Sequence, residues 1–232
     1  VMAYLVLDDF SGSGALQNRN TSGNAAHKWV RCRPDRGDIT DLTISGGLVS
    51  ASPVETDLSD GYRLVYSSTG APVLLTAPYT VDLVFNLTPG KGSMAGIDIG
   101  VSPGLFGYGF WGSVFQVRDG VSRIGKEAAY SSVRAPGELT PPAAVGDAPN
   151  LLRMIVGTDG FVVYKLNDRL YGAFDYYYPG ANREIAVMVW GGGTLGSIRV
   201  YEGSDPPPPD PDPGPSPLYF WRGVKNATQD SM

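Results

Sequence analysis

His27 is the sole histidine in the chain and sits in the run HKW with no nucleophile motif beside it. A Ser-His-acid or Cys-His nucleophile therefore has little to work with. A single cysteine, Cys32, excludes an intramolecular disulfide framework and a thiolate zinc site. Any metal would have to take oxygen ligands, as calcium does. The carboxylates of residues 35–41 and of the DLSDG run at 57–61 are close enough in sequence, but they read as solvated turn residues. No cofactor and no metal are expected. Carboxylate and aromatic chemistry remain. The run ETDLSD brings Glu55, Asp57 and Asp60 together. Sugar binding needs aromatic faces to stack on pyranose rings, with amides, carboxylates or hydroxyls beside them for the rim. Tyr176, Tyr177 and Tyr178 with Asn182 and Arg183 could supply this, as could FGYGFW at 106–111, with Tyr108 and Trp111. Each has a plainer alternative. The tyrosine run suits a protein contact, and Phe106, Tyr108 and Phe110 alternating with glycine suit the filling of a sheet face.

The rest of the chain has to position these residues, and its composition says how. Among 232 residues, Gly 31 and Pro 19 are plentiful, charged residues reach only 18% and hydrophobic ones 42%. That balance suits many short strands joined by tight turns in one β domain. A net charge of −5 leaves nothing basic gathered for a nucleic-acid backbone, since Arg31, Arg33 and Arg36 are interleaved with Asp35 and Asp38. No apolar run approaches the roughly 18 residues that would span a bilayer, so no membrane insertion is expected. The start, VMAYLVLDDF, has neither a basic n-region nor a cleavage site, and no secretory signal is expected in it.

Residues 151–175, LLRMIVGTDGFVVYKLNDRLYGAFD, read as a β-meander. An Asp-Gly turn separates the first two apolar runs, and Asn167-Asp168, which tolerate a left-handed backbone, separate the second and third. Strands are also predicted at 2–7, 62–67, 73–76, 79–87, 94–101, 109–118, 121–125, 184–190 and 195–202, with a hairpin at 39–52 turning on Gly46-Gly47. His27 is expected at a surface or strand edge and Cys32 as a small buried side chain. Only residues 125–135 carry helix-favouring content, in a piece too short to stand alone.

Residues 204–217, SDPPPPDPDPGPSP, change the chain's character. Proline fixes φ and aspartate keeps the segment solvated, so an extended spacer with a reach of roughly 40 Å is expected. Beyond it, Leu218, Tyr219, Phe220 and Trp221 make an apolar and aromatic plug fit to anchor in a partner. The organisation is thus a β domain at 1–203, a linker at 204–217 and an anchor segment at 218–232.

The meander resembles the central hairpin of concanavalin A-like jelly rolls, which implies an all-β sandwich of that type. The opening, "strand, DDF, Gly/Ser loop, Leu, N-R-N-T, Trp", is similar to the first segment of such domains in bacteriophage virion proteins. Asp9, Phe10, Leu16, Arg19, Thr21 and Trp29 stand at the matching places. In that group the first strand pairs near the last. The resemblance implies a structural protein on the particle surface, as capsid decoration, fibre or tail appendage. Its partners would be other virion proteins or sister subunits, reached through the C-terminal tail in a homo-oligomer or larger assembly, with host-surface glycans as a further ligand. A free carbohydrate-binding module and a laminarinase-type hydrolase are the alternatives. Laminarinase-type enzymes carry E-x-D-x-x-E on one strand. Glu55 and Asp57 match that pattern, but Asp60 stands where its last glutamate belongs, and Pro53 with Asp60-Gly61 gives the stretch the look of a turn. The expectation is a non-enzymatic chain without catalytic residues.

Overall fold

The computed structural model describes residues 4–32, 41–50, 61–88, 94–100, 112–118, 121–127, 138–139, 149–158, 161–167, 169–175 and 184–203. In chain order the first eight strands are β1 (Tyr4–Asp8), β2 (Gly14–Ala15), β3 (His27–Arg31), β4 (Thr43–Ser45), β5 (Leu48–Ser50), β6 (Tyr62–Tyr66), β7 (Tyr79–Asn86) and β8 (Met94–Gly100). The remainder are β9 (Gly112–Arg118), β10 (Val121–Glu127), β11 (Glu138–Leu139), β12 (Asn150–Val156), β13 (Phe161–Leu166), β14 (Arg169–Asp175), β15 (Glu184–Trp190) and β16 (Thr194–Glu202). Among the described residues there is no helix.

These strands form two antiparallel sheets. One has nine strands in the order β14-β13-β12-β7-β16-β5-β4-β2, with β1 also paired to β16. The other has seven, in the order β11-β10-β9-β8-β15-β6-β3. The period-two pattern of each strand decides what lies between them. Val81, Leu83 and Phe85 of β7 and Ile198 and Val200 of β16 share a core with Ile185, Val187 and Val189 of β15 and with Trp29 and Leu64. Fully burying each such side chain is worth roughly 1.5–3 kcal/mol, which makes this layer the main source of stability. The arrangement is a concanavalin A-like jelly roll, as the sequence implied.

Local chemistry sets the turns. Gly46 and Gly47, at φ 60 and 78, close the β4–β5 hairpin in the left-handed conformation that a two-residue turn requires. Asn167, at φ 51, does the same between β13 and β14, and its Oδ1 accepts from Leu151 N at 2.9 Å while its Nδ2 donates to Asn150 Oδ1 at 2.9 Å. The first strand pairs with the last, β1 with β16, as expected.

Two sequence expectations are corrected and two are refined. Residues 73–76 form no strand: Val73 N donates to Leu64 O at 3.0 Å, and pairing is limited to isolated bridge residues, Pro72 opposite Val65 and Leu75. Alternation over so short a run cannot hold a strand without a partner of equal length. Residues 125–127 extend the strand expected at 121–125 and belong to β10. His27 lies on an edge strand but is buried, its ring 5.3 Å from that of Tyr66. Cys32 is half-buried where a buried side chain was expected.

One polar cluster joins the two sheets. Asp8 of β1 is 0% exposed, and its carboxylate accepts Trp29 Nε1 of β3 at 2.7 Å, Arg19 NH1 at 2.7 and 2.9 Å, Phe10 N at 2.9 Å and Ser22 N at 3.3 Å. Removing this carboxylate would leave the buried Trp29 N–H and the Arg19 charge without partners. Asp8→Ala should destabilise the fold by about 3–5 kcal/mol. Trp29→Phe, which keeps most of the packing and removes one donor, should cost about 1.5–3 kcal/mol. Urea unfolding monitored by circular dichroism would measure both.

Candidate functional site

Function on a filled sandwich falls to its outer faces, and register shows what each face carries. On β15 the core takes Ile185, Val187 and Val189, so alternation places Glu184, Ala186 and Met188 on the outside of the seven-stranded sheet. Cross-strand pairing carries that outer face onward. Glu184 pairs with Gly100 of β8, Gly100 with Gly112 of β9, and Gly112 with Glu127 of β10. The next row runs Arg63, Ala186, Asp98, Val114, Gly125. The row after it runs Met188, Gly96, Gln116, Arg123, Glu138.

In register with Glu184, Ala186 and Met188, strands β8, β9 and β10 carry Gly96, Gly100, Gly112 and Gly125 interspersed with the positions of Asp98, Gln116, Arg123 and Glu127. A glycine floor lets a ligand approach the backbone closely. Acids, amides and guanidinium groups beside it are what a polyhydroxylated ring needs at its rim. From Glu184 to Glu127 the row crosses three strand spacings, about 14 Å. Toward β6 the same face is closed, because Val65, Ala186 and Met188 are buried.

Glu184 forms the wall where closed and glycine-floored parts meet. It is 1% exposed, and among the described residues neither carboxylate oxygen has a hydrogen-bond partner. The nearest cation is Arg63 NH1 at 3.6 Å, an ion pair too long for a hydrogen bond. Burial pushes the carboxyl up to about 6, and the Arg63 charge offsets only part of that. On the neighbouring strand Asp98 occupies the diagonal position, which puts the two Cα atoms about 7–8 Å apart. The separation of two residue types by register is what the sequence could not display: Glu184 and Asp98 lie far apart in the chain and neither belongs to a motif.

The residues singled out from the sequence lie outside the described residues: Tyr176, Tyr177, Tyr178, Asn182, Arg183, Tyr108, Trp111, Glu55, Asp57 and Asp60, and in the tail Leu218, Tyr219, Phe220 and Trp221. The strand ends that bracket both aromatic stretches do meet. Residues 101–111 join Gly100 to Gly112, and residues 176–183 lead into Glu184, all three in one row. Among the described residues no group of His, Cys, Asp and Glu is placed to hold a metal ion.

A glutamate whose folded value lies above its ordinary 4.5 binds a proton more tightly in the native state. Its contribution is complete below about pH 4.5 and is lost as pH rises through about 6, so stability falls with pH across that window. The loss should be on the order of 2 kcal/mol. Glu184→Gln, which does not titrate, should remove that segment of the pH–stability curve, measured by urea midpoints from pH 4 to 7.5.

No family model and no curated protein sequence matches the chain. Solved structures do. An endo-β-1,3-glucanase from Pyrococcus furiosus is similar over 88% of this chain and 96% of its own, with a TM-score of 0.58 and 14% identity. The laminarinase from Rhodothermus marinus covers 87% and 98%, with a TM-score of 0.57 and 14% identity. The carbohydrate recognition domain of Emp46p covers 82% and 96%, with a TM-score of 0.51 and 8% identity. At such identity the likeness shows the fold, one shared by glucan-active enzymes and carbohydrate-recognition domains. It also corrects the expectation of a non-enzymatic chain. That expectation rested on the lone histidine and cysteine and on the imperfect ETDLSD run, whereas the fold is one on which endo-glucanases are built.

Proposed function

We propose that this chain is a carbohydrate-recognising jelly roll that lays a glycan across the outer face of β8, β9 and β10. The observation that carries the reading is the row Glu184, Gly100, Gly112, Glu127, a glycine floor between two acids into which both aromatic stretches lead. The fold's occurrence in glucanases and in a carbohydrate recognition domain supports it. In the finer form of the proposal the domain is carried on a bacteriophage particle, where the glycan belongs to the host surface and residues 218–221 seat in a virion partner or a sister subunit. The opening segment's resemblance to virion domains and the aromatic plug behind a proline linker support that form.

A second reading, hydrolysis of a glycosidic bond, is favoured by the Glu184 and Asp98 pair. Glycoside hydrolysis uses one carboxyl group that stays protonated and another that is ionised, flanking the bond. Glu184, raised to about 6 by its burial, and Asp98 on the adjoining strand fit those two roles.

Gly112→Leu, which fills the floor, should weaken binding to an immobilised glucan or an array glycan at least about tenfold, equivalent to about 1.4 kcal/mol. Gln116→Ala should weaken it in a background where no backbone is crowded. Undiminished binding by both variants would overturn the site. Release of reducing ends from β-1,3-glucan by the wild-type chain, abolished by Glu184→Gln and by Asp98→Asn, is the result the hydrolytic reading requires. Wild-type protein that releases none refutes that reading and leaves the binding one standing. Deletion of residues 204–232 should leave the sandwich folded but absent from purified particles, and its incorporation at normal copy number would refute the virion form.

A further inference from the structure

The seven-stranded sheet is not knitted evenly across its width. β15 meets β8 in seven consecutive pairs, from Glu184 opposite Gly100 to Trp190 opposite Met94. β3 meets β6 in five, from His27 opposite Tyr66 to Arg31 opposite Tyr62. Between these well-paired parts β6 meets β15 in two, Ala186 opposite Arg63 and Val187 opposite Tyr62. The rest of that edge of β6 is turned to its own chain: Tyr66 N donates to Ala71 O at 2.8 Å, and Leu64 O accepts Val73 N at 3.0 Å. Successive residues of an antiparallel strand turn their backbone groups to opposite edges. Tyr62 therefore turns its N–H and C=O toward Val187, as Leu64 and Tyr66 turn theirs toward 71–73, while Ala186 and Met188 turn theirs toward β8. A seam of two pairs thus runs through the interior of the sheet.

An acid stands across that seam. Glu184 of β15 is buried, among the described residues its oxygens accept no hydrogen bond, and Arg63 NH1 of β6 comes no nearer to Oε2 than 3.6 Å. The other charged or titratable positions on this side are Lys28 of β3, opposite Val65, Asp98 of β8, opposite Ala186, and Glu127 at the far end of the Glu184 row. The Cys32 thiol is close as well, its Sγ 3.4 Å from where a Cβ on Gly61 would stand, with Ala186 Cβ at 3.8 Å from the same point. Among the described residues Arg63 alone is ion-paired with Glu184. A carboxylate held in this way is relieved by taking up a proton or by reaching water. A proton leaves the seam as it is. Water is admitted by parting β6 from β15, which breaks two backbone pairs and not the whole core.

We propose that β6 and β15 form a pH-sensitive seam, in which ionisation of Glu184 parts the two strands locally and its protonation closes them while the rest of the sandwich stays folded. The flanking parts are held elsewhere: Trp29 of β3 bonds Asp8 in the opposite sheet at 2.7 Å, and β15 keeps its ladder with β8. Burial lifts the Glu184 carboxyl from its ordinary 4.5 to about 6, against the partial offset of Arg63. The closed seam therefore has the full benefit of the proton below about pH 4.5 and loses it as pH rises through about 6. With Glu184 back at its ordinary value in the open seam, the opening constant rises by up to about thirtyfold across that window. The inference concerns the backbone of the sheet and does not depend on the glycan reading.

The test is amide hydrogen exchange of the full-length chain, read by NMR as protection factors from pH 4 to 7.5, with and without urea below the unfolding transition. Tyr62 and Val187 should exchange through an opening that barely responds to urea, and their protection should fall by up to about thirtyfold as pH rises. Ala186 and Met188, turned to β8 on the same strand, should keep higher protection and the steep urea response of global unfolding. Glu184→Gln should flatten the pH dependence at Tyr62 and Val187. Arg63→Gln removes a charge that favours the ionised acid, so it should move the fall to higher pH, and Arg63→Lys should bring it back. In the wild-type protein alone, Tyr62 and Val187 amides that share the protection and urea response of Ala186 and Met188 would overturn the proposal. So would a pH dependence at those two amides that survives in Glu184→Gln.

Discussion

The jelly roll closes on a carboxylate. Asp8 belongs to the nine-stranded sheet and Trp29 to the seven-stranded one, so the 2.7 Å hydrogen bond between them spans the sandwich. Burying an ionised carboxylate is costly unless donors surround it. Here Trp29, Arg19, and the N–H groups of Phe10 and Ser22 supply them. That requirement shapes the loop between β1 and β3. Phe10 adopts φ 52, its N–H donates to Asp8 Oδ1 at 2.9 Å, and its ring meets Trp29 at 6.3 Å. Asn18, Arg19 and Thr21 lie along β3 and bond its Trp29 and His27 backbone, covering an edge that would otherwise be open to another strand. A long surface loop is thereby held as firmly as a strand.

Closure of the two sheets fixes which residues are left for function. With Val81, Leu83, Ile198 and Val200 committed inward on one sheet and Ile185, Val187 and Val189 on the other, every intervening residue is assigned to an outer face. The two faces differ in kind. One is a glycine floor with acids at its sides; the other is a ladder in which Arg199, Arg153 and Lys165 surround a single Asp82. A chain with net charge −5 thus separates its surface into regions of distinct sign and texture. The difference arises from register, since the strands themselves have similar composition.

That distinction also marks what was legible in the sequence. The meander was readable because its turns are local: Asn167 needs only its own tolerance of a left-handed backbone, and Gly46-Gly47 only theirs. The opening residues were readable as a pattern, but the structure gives several of them a common structural purpose. Phe10, Leu16, Arg19, Thr21 and Trp29 gather around Asp8 or its loop, so they explain the fold and say nothing of a ligand. The false strand at 73–76 shows the opposite error, local alternation without a partner. Glu184 and Asp98 were invisible because their proximity is created by pairing between β15 and β8. No spacing within either strand announces it.

The two buried carboxylates make the contrast that bears on function. Asp8 is surrounded by donors and is fully accounted for by the architecture it holds together. Glu184 is as deeply buried, yet among the described residues its oxygens accept no hydrogen bond and the Arg63 guanidinium stands 3.6 Å away. A fold optimised for stability alone would either complete such a site or replace the acid by an apolar residue, since a half-satisfied buried charge is worse than none. The strain persists at one particular place, the junction between the closed part of the outer face and its glycine floor. An acid kept partly protonated near neutrality and set one diagonal from a second acid is suited to donate a hydrogen bond or a proton to a hydroxylated ligand. The cost that Glu184 imposes on the native state is therefore the reason to place the ligand on the seven-stranded sheet, where an unfilled requirement exists, and not beside Asp8, where every requirement is met.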